Sequence, residues 1–325
     1  METQVLSTGA PAGRAPRRVR RPRYTLVTGA YYILYSDLPR NGPEPDGDTI
    51  SFLPDSDDLV RSLRWFSGVG PDRRHLGTYS VRFEGIDALE THFDNRHQNL
   101  ELAQAARDRM LQLMGFGHVE FWPDSPNKIK SAQHHPVRGY LLANGIESHG
   151  RVLGLVYPGQ LDSSAADGDP VFVDEPRLDA SVNAALIRDG LAYGELYATM
   201  PLDLIRHVRQ LVKGARREGR GLWPRESVTR NTRVQLQGLA DLPDLVMFPK
   251  LYRRLVKYFE DGYVGLASFD AWVRADPINR DDRALLPTGE LGHMHDLYDV
   301  GRGGIKLQYL PEDLTFDPDP APPGM

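Results

Sequence analysis

The stretch VRFEGIDALE brings Arg82, Asp87 and Glu90 within nine residues, with Glu84 between them. Arg82 belongs to an alternating run, TYSVRFEGI. There Tyr79, Val81 and Phe83 share one face, and Ser80, Arg82 and Glu84 the other. Another acid, Asp48, opens a strand-like segment after the tight glycine turn of DGDT, and Arg151 stands at the entry of a further one in SHGRVLGLVY. Carboxylates on strand ends offer oxygen ligands on rigid supports, which is what a hard cation needs. Two guanidinium groups among three carboxylates suit phosphodiester hydrolysis. The metal and the arginines neutralise charge building on the pentavalent phosphorus, while a carboxylate handles the attacking water.

These residues need supports, and the surrounding sequence supplies them. TLVTGAYYILY and DTISFL read as strands, separated by the turn chemistry of NGPEPDGDT, and RVLGLVY reads as a short strong strand. From Leu100 the apolar positions Ala103, Ala106, Met110 and Leu113 recur at helical spacing and stop at GFG. LDASVNAALIRDGLA reads as a helix with Asp179 as N-cap, Val182, Ala185 and Leu186 on its apolar side, and Gly190 as its stop. A further helix from Pro201 places Ile205, Val208, Leu211, Val212 and Ala215 on one stripe. Strands first and helices after them predict an α+β domain built on a small barrel or antiparallel sheet.

Beyond about residue 228 the character changes. LYRRLVKYFEDG is an amphipathic helix with Leu251, Leu255, Tyr258 and Phe259 inward, and FDAWVRAD a shorter one. EDLTFDPDPAPPGM reads as a Pro/Asp-rich tail without packed structure. In HMHD, His293 and His295 could hold a metal, but a polar loop is the simpler reading.

Composition sets the outer limits. A chain of 325 residues that is 40% hydrophobic and 26% charged can bury a substantial core. No apolar run approaches the ~20 residues of a membrane span. Cysteine is absent, which excludes disulfides, thiolate metal sites and a cysteine nucleophile. Residues 1–23 hold six arginines against Glu2, a charge of +5, so the rest carries −10 of the net −5. The basic arm, residues 1–24, is a candidate for extra nucleic-acid contacts against an acidic body. The apolar stretch behind the arginines is short and contains Thr25, Thr28 and Tyr31, so a cytoplasmic location is expected rather than export.

The ordered series DGDTISF, VRFEGIDALE, SHGRVLGLVY, VNAALIRDGLA and a helix ending GRGLW resembles the staphylococcal nuclease, or thermonuclease, family over about residues 25–225. The resemblance implies a five-stranded OB-type β-barrel with packed helices. It also implies calcium-dependent hydrolysis of DNA or RNA with little sequence preference, leaving 3′-phosphates. Carried over by position, Asp48 and Asp87 match the calcium-binding aspartates, and the backbone carbonyl of Ala88 the third protein ligand. Glu90 matches the glutamate that orients or activates the attacking water, and Arg82 and Arg151 the arginines that grip the scissile phosphate. The family's usual Thr-Pro is Ala88-Leu89 here, and the tyrosine before the Gly-Arg pair is His149. His149, Tyr193 and Tyr197 are the candidate substrate contacts. An insert at about 54–78 lies between Asp48 and Arg82, as a lid over the cleft or a cap on the barrel. The expected organisation is therefore an arm, a nuclease domain over 25–227, and a small helical extension over 228–325 that could bind a protein partner. The alternative is a catalytically inactive barrel that binds nucleic acid or protein.

Overall fold

The computed structural model describes residues 23–161 and 163–318; the basic arm lies almost wholly outside them. Strands β1 (Arg23–Tyr32), β2 (Thr49–Pro54) and β3 (Tyr79–Phe83) come first, followed by the three-residue β4 (Ile86–Ala88). A side hairpin, β5 (Gly117–Trp122) and β6 (Ser125–Gln133), precedes the long β7 (Val137–Ile146) and β8 (Val152–Pro158). β1 pairs with both β2 and β7, β2 with β3, β3 with β8 in parallel, and β8 with β7. Five strands therefore close a mixed barrel, and the short β9 (Pro170–Phe172) adds to β1 on its outside. Closure leaves no free edge among the five.

Val27, Tyr31, Phe52, Val81, Leu141 and Val156 share one face through the register and fill the barrel, each fully buried. Every residue of β3 is buried, so the side bearing Arg82 is no solvent face. α2 (Leu100–Leu113) is capped by Asn99, whose side chain accepts from the Leu102 N–H. The helix expected after Asp179 is divided. Asp179 ends the short α3 (Glu175–Asp179), and Ser181 caps α4 (Val182–Arg188) by accepting from the Ala184 N–H at 3.1 Å. Gly190, at φ +72°, ends this segment as the sequence predicts. From α4, buried Asn183 donates to the carbonyls of Glu84 and Gly154 and accepts from the Val156 N–H, which pins the helix to the barrel. α5 (Leu202–Arg217) buries Ile205, Val208, Val212 and Ala215, as its stripe requires.

β10 (Ala192–Gly194) pairs with β4 outside the barrel. The region after residue 228 contains α6 (Pro249–Glu260) and α7 (Phe269–Arg274), but it is not purely helical. β11 (Arg283–Leu285) pairs with β12 (Leu291–His293), and β13 (Tyr298–Gly301) with β14 (Gly304–Leu307). Part of the supposed tail is packed as well: β15 (Thr315–Phe316) pairs with β11 and bridges Tyr197. Leu314 and Phe316 are fully buried, and buried Glu312 receives Arg216 at 3.0 Å. Two apolar anchors and one ion pair outweigh the prolines that follow. One hydrophobic core runs from Tyr24 to Phe316, so the extension and the barrel fold onto each other. Among the described residues, no helix is long and apolar enough to cross a membrane.

The insert contains α1 (Asp57–Arg61) and lies beside the loop joining β7 to β8. Phe66 N–H donates to the Ile146 carbonyl at 3.0 Å and Asp72 N–H to the Gly150 carbonyl at 2.8 Å. It caps that end of the barrel and contributes Phe66 and Arg74 to the cleft wall.

A bulge between Ala143 and Gly145 of β7 re-aims Asn144, which donates to the buried Glu84 carboxylate at 2.5 Å. Burial pushes the Glu84 carboxyl up to about 7. The folded state therefore holds this proton more tightly than the unfolded chain. The associated stability is complete below the ordinary carboxylate range and is lost as pH rises through about 7. Between pH 5 and 8 this residue should cost on the order of 2 kcal/mol. Glu84→Gln keeps the acceptor for Asn144 and removes the ionisation. Chemical denaturation at the two pH values should show the variant gaining on wild type at pH 8. An equal gap at both values would rule the explanation out.

Candidate active site

Asp48 owes its position to a close approach of backbone. A Cβ on Gly47 would lie 2.5 Å from the Ala88 Cβ and 2.8 Å from the Ala106 Cβ, so only glycine lets the DGDT turn wedge between β4 and α2. Asp48 then accepts from the Ala88 N–H at 2.6 Å, and its own N–H donates to Asp46 at 3.2 Å. Ala88 thus turns this backbone edge to Asp48 rather than to β10. By the alternation of an antiparallel ladder, its carbonyl lies on the same side.

Arg82 lies at the centre of the acids. Its guanidinium is paired with Asp48, with Asp87 at 2.6 Å and with Glu195 at 2.8 Å. Glu195 follows β10, and Asp87 lies in β4, so the small outer ladder brings the last two acids to the barrel wall. Arg253 enters from α6. It donates to both oxygens of Asp87 at 3.1 and 3.2 Å and to Glu90 at 2.6 Å, with Glu195 at 3.7 Å. Lys250, one turn earlier and almost fully buried, lies 3.4 Å from Glu195 and donates to the Tyr197 hydroxyl at 2.9 Å. Arg254 pairs with Asp282 at 2.7 Å behind them.

Asp46, Asp48, Asp87, Glu90 and Glu195 thus face Arg82, Arg253 and Lys250, a surplus of two negative charges. The excess shows in the proton affinities. Burial, then the charge of Asp48, drives Asp46 well above the carboxylate range. Burial lifts Glu90 to about 7, with Arg253 opposing and Asp87 adding to the rise. Asp87 is raised by burial against the pull of Arg253. Glu195 goes the other way: burial alone would raise it, but Lys250, Arg82 and Arg253 together hold it low. Asp46, Asp48, Glu90 and Glu195, together with Arg82, Arg253, Lys250 and Ala88, line one cleft of about 870 Å³, whereas Asp87 is fully buried and does not line it.

Arg151 lines the same cleft. Arg82 is the register partner of Leu153, two residues beyond Arg151, so strand alternation sets the two arginines on the same face of neighbouring strands. Glu147 holds Arg151 by accepting from its N–H at 2.9 Å and its Nε at 3.2 Å. It also receives His149 at 2.9 Å, and these partners keep its carboxyl down at about 2 despite burial. His149 is 72% exposed on the cleft rim, open to a ligand. Tyr197 lines the cleft, with its hydroxyl held between Lys250 and Glu195 at 3.1 Å. Tyr193 does not belong to this set. It is fully buried, edge-on to Trp223 at 4.9 Å and against Phe248 at 5.8 Å, so it is a core residue rather than a substrate contact.

His293 and His295 do meet, their rings nearly parallel at 5.4 Å, with Asp281 beside them. One Asp281 oxygen accepts from the His295 N–H at 3.0 Å and the other pairs with its Nδ1 at 2.6 Å. Those bonds account for the buried carboxylate and fix the base of the β11–β12 hairpin.

Glu195, Arg253 and Lys250 were not anticipated from the sequence. A signal existed for two of them: Lys250, Arg253, Arg254 and Lys257 recur at i, i+3, i+4 and i+7, a basic stripe beside the apolar one. No family model matches the chain, and no curated protein matches it.

Proposed function

We propose that this chain is a calcium-dependent phosphodiesterase of the staphylococcal nuclease type, acting on DNA or RNA through an OB-type barrel. The observation that carries the reading is that Arg82 pairs with Asp48 and Asp87, and Arg253 joins Asp87 to Glu90, at a cleft lined by Asp48, Arg82, Glu90 and Arg151. OB-type barrels bind oligonucleotides on the face of their second and third strands and with the loops joining strands 1–2 and 4–5. Here Asp48 ends the loop between the first two barrel strands, Arg82 is on the third, and Arg151 ends the loop between the last two.

The donor set fits a divalent cation. Asp48, Asp87 and the Ala88 carbonyl are hard oxygen donors, and Glu90 is close enough to act through a water. Such a cation, when bound, supplies Lewis-acid neutralisation of the phosphate's charge. The chain's own residues do the rest. Glu90 accepts a proton from the attacking water or orients it. Arg151, anchored by Glu147, meets the non-bridging oxygens from the rim. Arg82 holds the acids in register and adds positive charge behind the phosphorus.

One feature favours the second reading, a non-catalytic binding module: Arg82 and Arg253 already satisfy the acids without any added cation. Incubating the full chain with labelled single-stranded DNA, double-stranded DNA and RNA separates the two. Cleavage in calcium and none in chelator is the expected result. Equal cleavage in both would remove the calcium requirement, and binding without cleavage would establish the module. Magnesium should support less turnover, because it demands tighter octahedral geometry.

A further inference from the structure

The C-terminal region places a guanidinium where the barrel's acids converge. Arg253 bonds to Asp87 and Glu90 and approaches Glu195, yet its side chain remains 20% exposed on the cleft. Two roles are open to such a group: a plug that must leave, or a fixed part of the site.

The helix that carries it decides between them. α6 begins at Pro249 and buries eight of its twelve residues, including Leu251, Tyr252, Leu255, Val256 and Phe259. Tyr252 donates to the His97 carbonyl at 2.8 Å, Lys250 reaches Glu195 and Asp282, and Arg254 holds Asp282. Withdrawing Arg253 with its helix would break this core and take the Lys250 charge away from buried Glu195 and Asp282. The helix stays, so its guanidinium faces whatever enters the cleft. Arg254, Lys257 and Arg280 line the same cleft, where Asp282 pairs with Arg254, and Asp261 and Asp276 lie beside Arg280.

We propose that Arg253 is a catalytic residue, a third guanidinium that binds the phosphate of the scissile diester, so that barrel and C-terminal region build one active site together. This rests on the phosphodiesterase reading above. Before substrate arrives, Asp87 and Glu90 hold the guanidinium in place. A phosphodiester offers it planar, bidentate acceptors, and the fork geometry makes Arg, not Lys, the suitable residue.

The test compares the full-length wild type with Arg253→Ala and Arg253→Lys, using one labelled single-stranded DNA oligonucleotide. Single-turnover rate in calcium, Kd in chelator and the thermal unfolding midpoint are read for each. Arg253→Ala should lose about 10²-fold in rate, as for removal of a positioned transition-state donor. Its affinity should fall several-fold, and Arg253→Lys should recover affinity better than rate. A faster Arg253→Ala enzyme would make Arg253 a plug and overturn the proposal. A lowered midpoint with unchanged rate and Kd would make it structural only, with the same consequence. If the wild type binds but does not cleave, the phosphodiesterase reading fails by itself. The phosphate contact then stands on Kd alone, and a change under about twofold would overturn it.

Discussion

Glu90→Gln should fold, bind nucleic acid and turn over about 10²–10⁴-fold more slowly than wild type, the range for loss of a positioned general base. Three features of the site lead to this result. The Glu90 N–H donates to Gln98 at 3.1 Å, and Gln98 in turn donates to the Met247 carbonyl at 2.9 Å, so the backbone is fixed independently of the carboxylate. Burial, with the nearby charge of Asp87, lifts the carboxyl to about 7, which makes it a far better proton acceptor than a solvated glutamate. Glutamine keeps an oxygen for Arg253, now at 2.6 Å, so the guanidinium retains a partner and the cleft its shape. Only proton acceptance is lost. Single-turnover rate and Kd on one oligonucleotide, with the unfolding midpoint, check the claim. Near wild-type turnover in Glu90→Gln would remove Glu90 from the chemistry.

Half of this site can be read along the chain, and half cannot, for a physical reason. Asp48, Arg82, Asp87 and Glu90 lie at ends of alternating segments, and strand periodicity is a local signal. Arg253 meets Asp87 across 166 residues, and nothing near either one announces the other. The basic stripe on α6 reads locally as a solvated helix face. Its burial depends on the acids at β4 and β10, which are a tertiary fact. The fold divides in the same way. The barrel strands are legible, but its closure depends on β1 pairing with two partners, and pairing leaves no local trace. The cap of α4 was displaced from Asp179 to Ser181 because two short helices abut, and Asp174 caps the first by accepting from the Arg177 N–H at 3.0 Å. A two-residue strand such as β15 has no period at all. Its proline- and aspartate-rich surroundings have the composition of an unpacked tail, although Leu314 and Phe316 are buried.

The two arginines first picked out by their spacing should separate on mutation. Arg82 is almost enclosed and serves Asp48 from one terminal nitrogen and Asp87 and Glu195 from the other, a spread that a point ammonium does not match. Arg82→Lys leaves at least one buried carboxylate short of a partner and should cost about 1–3 kcal/mol of stability in addition to turnover. Arg151 is 28% exposed and has one acidic partner, Glu147, which also holds its backbone. Arg151→Lys can keep that ion pair, so its stability should stay within about 0.5 kcal/mol of wild type. Its loss is the second donor of the fork. If those donors meet the phosphate's equatorial oxygens, their bonds strengthen as charge accumulates there, and the change falls on the transition state. Turnover should then drop by about 10²–10³ with a much smaller change in Kd, because a lysine still attracts the ground-state phosphate. Parallel measurements of midpoint, Kd and single-turnover rate on both variants distinguish the roles. Equal destabilisation would mean that Arg151 is also a structural tie. A wild-type rate in Arg151→Lys would leave the phosphate to Arg82 and Arg253, and would move the reacting centre from the barrel rim towards the C-terminal wall.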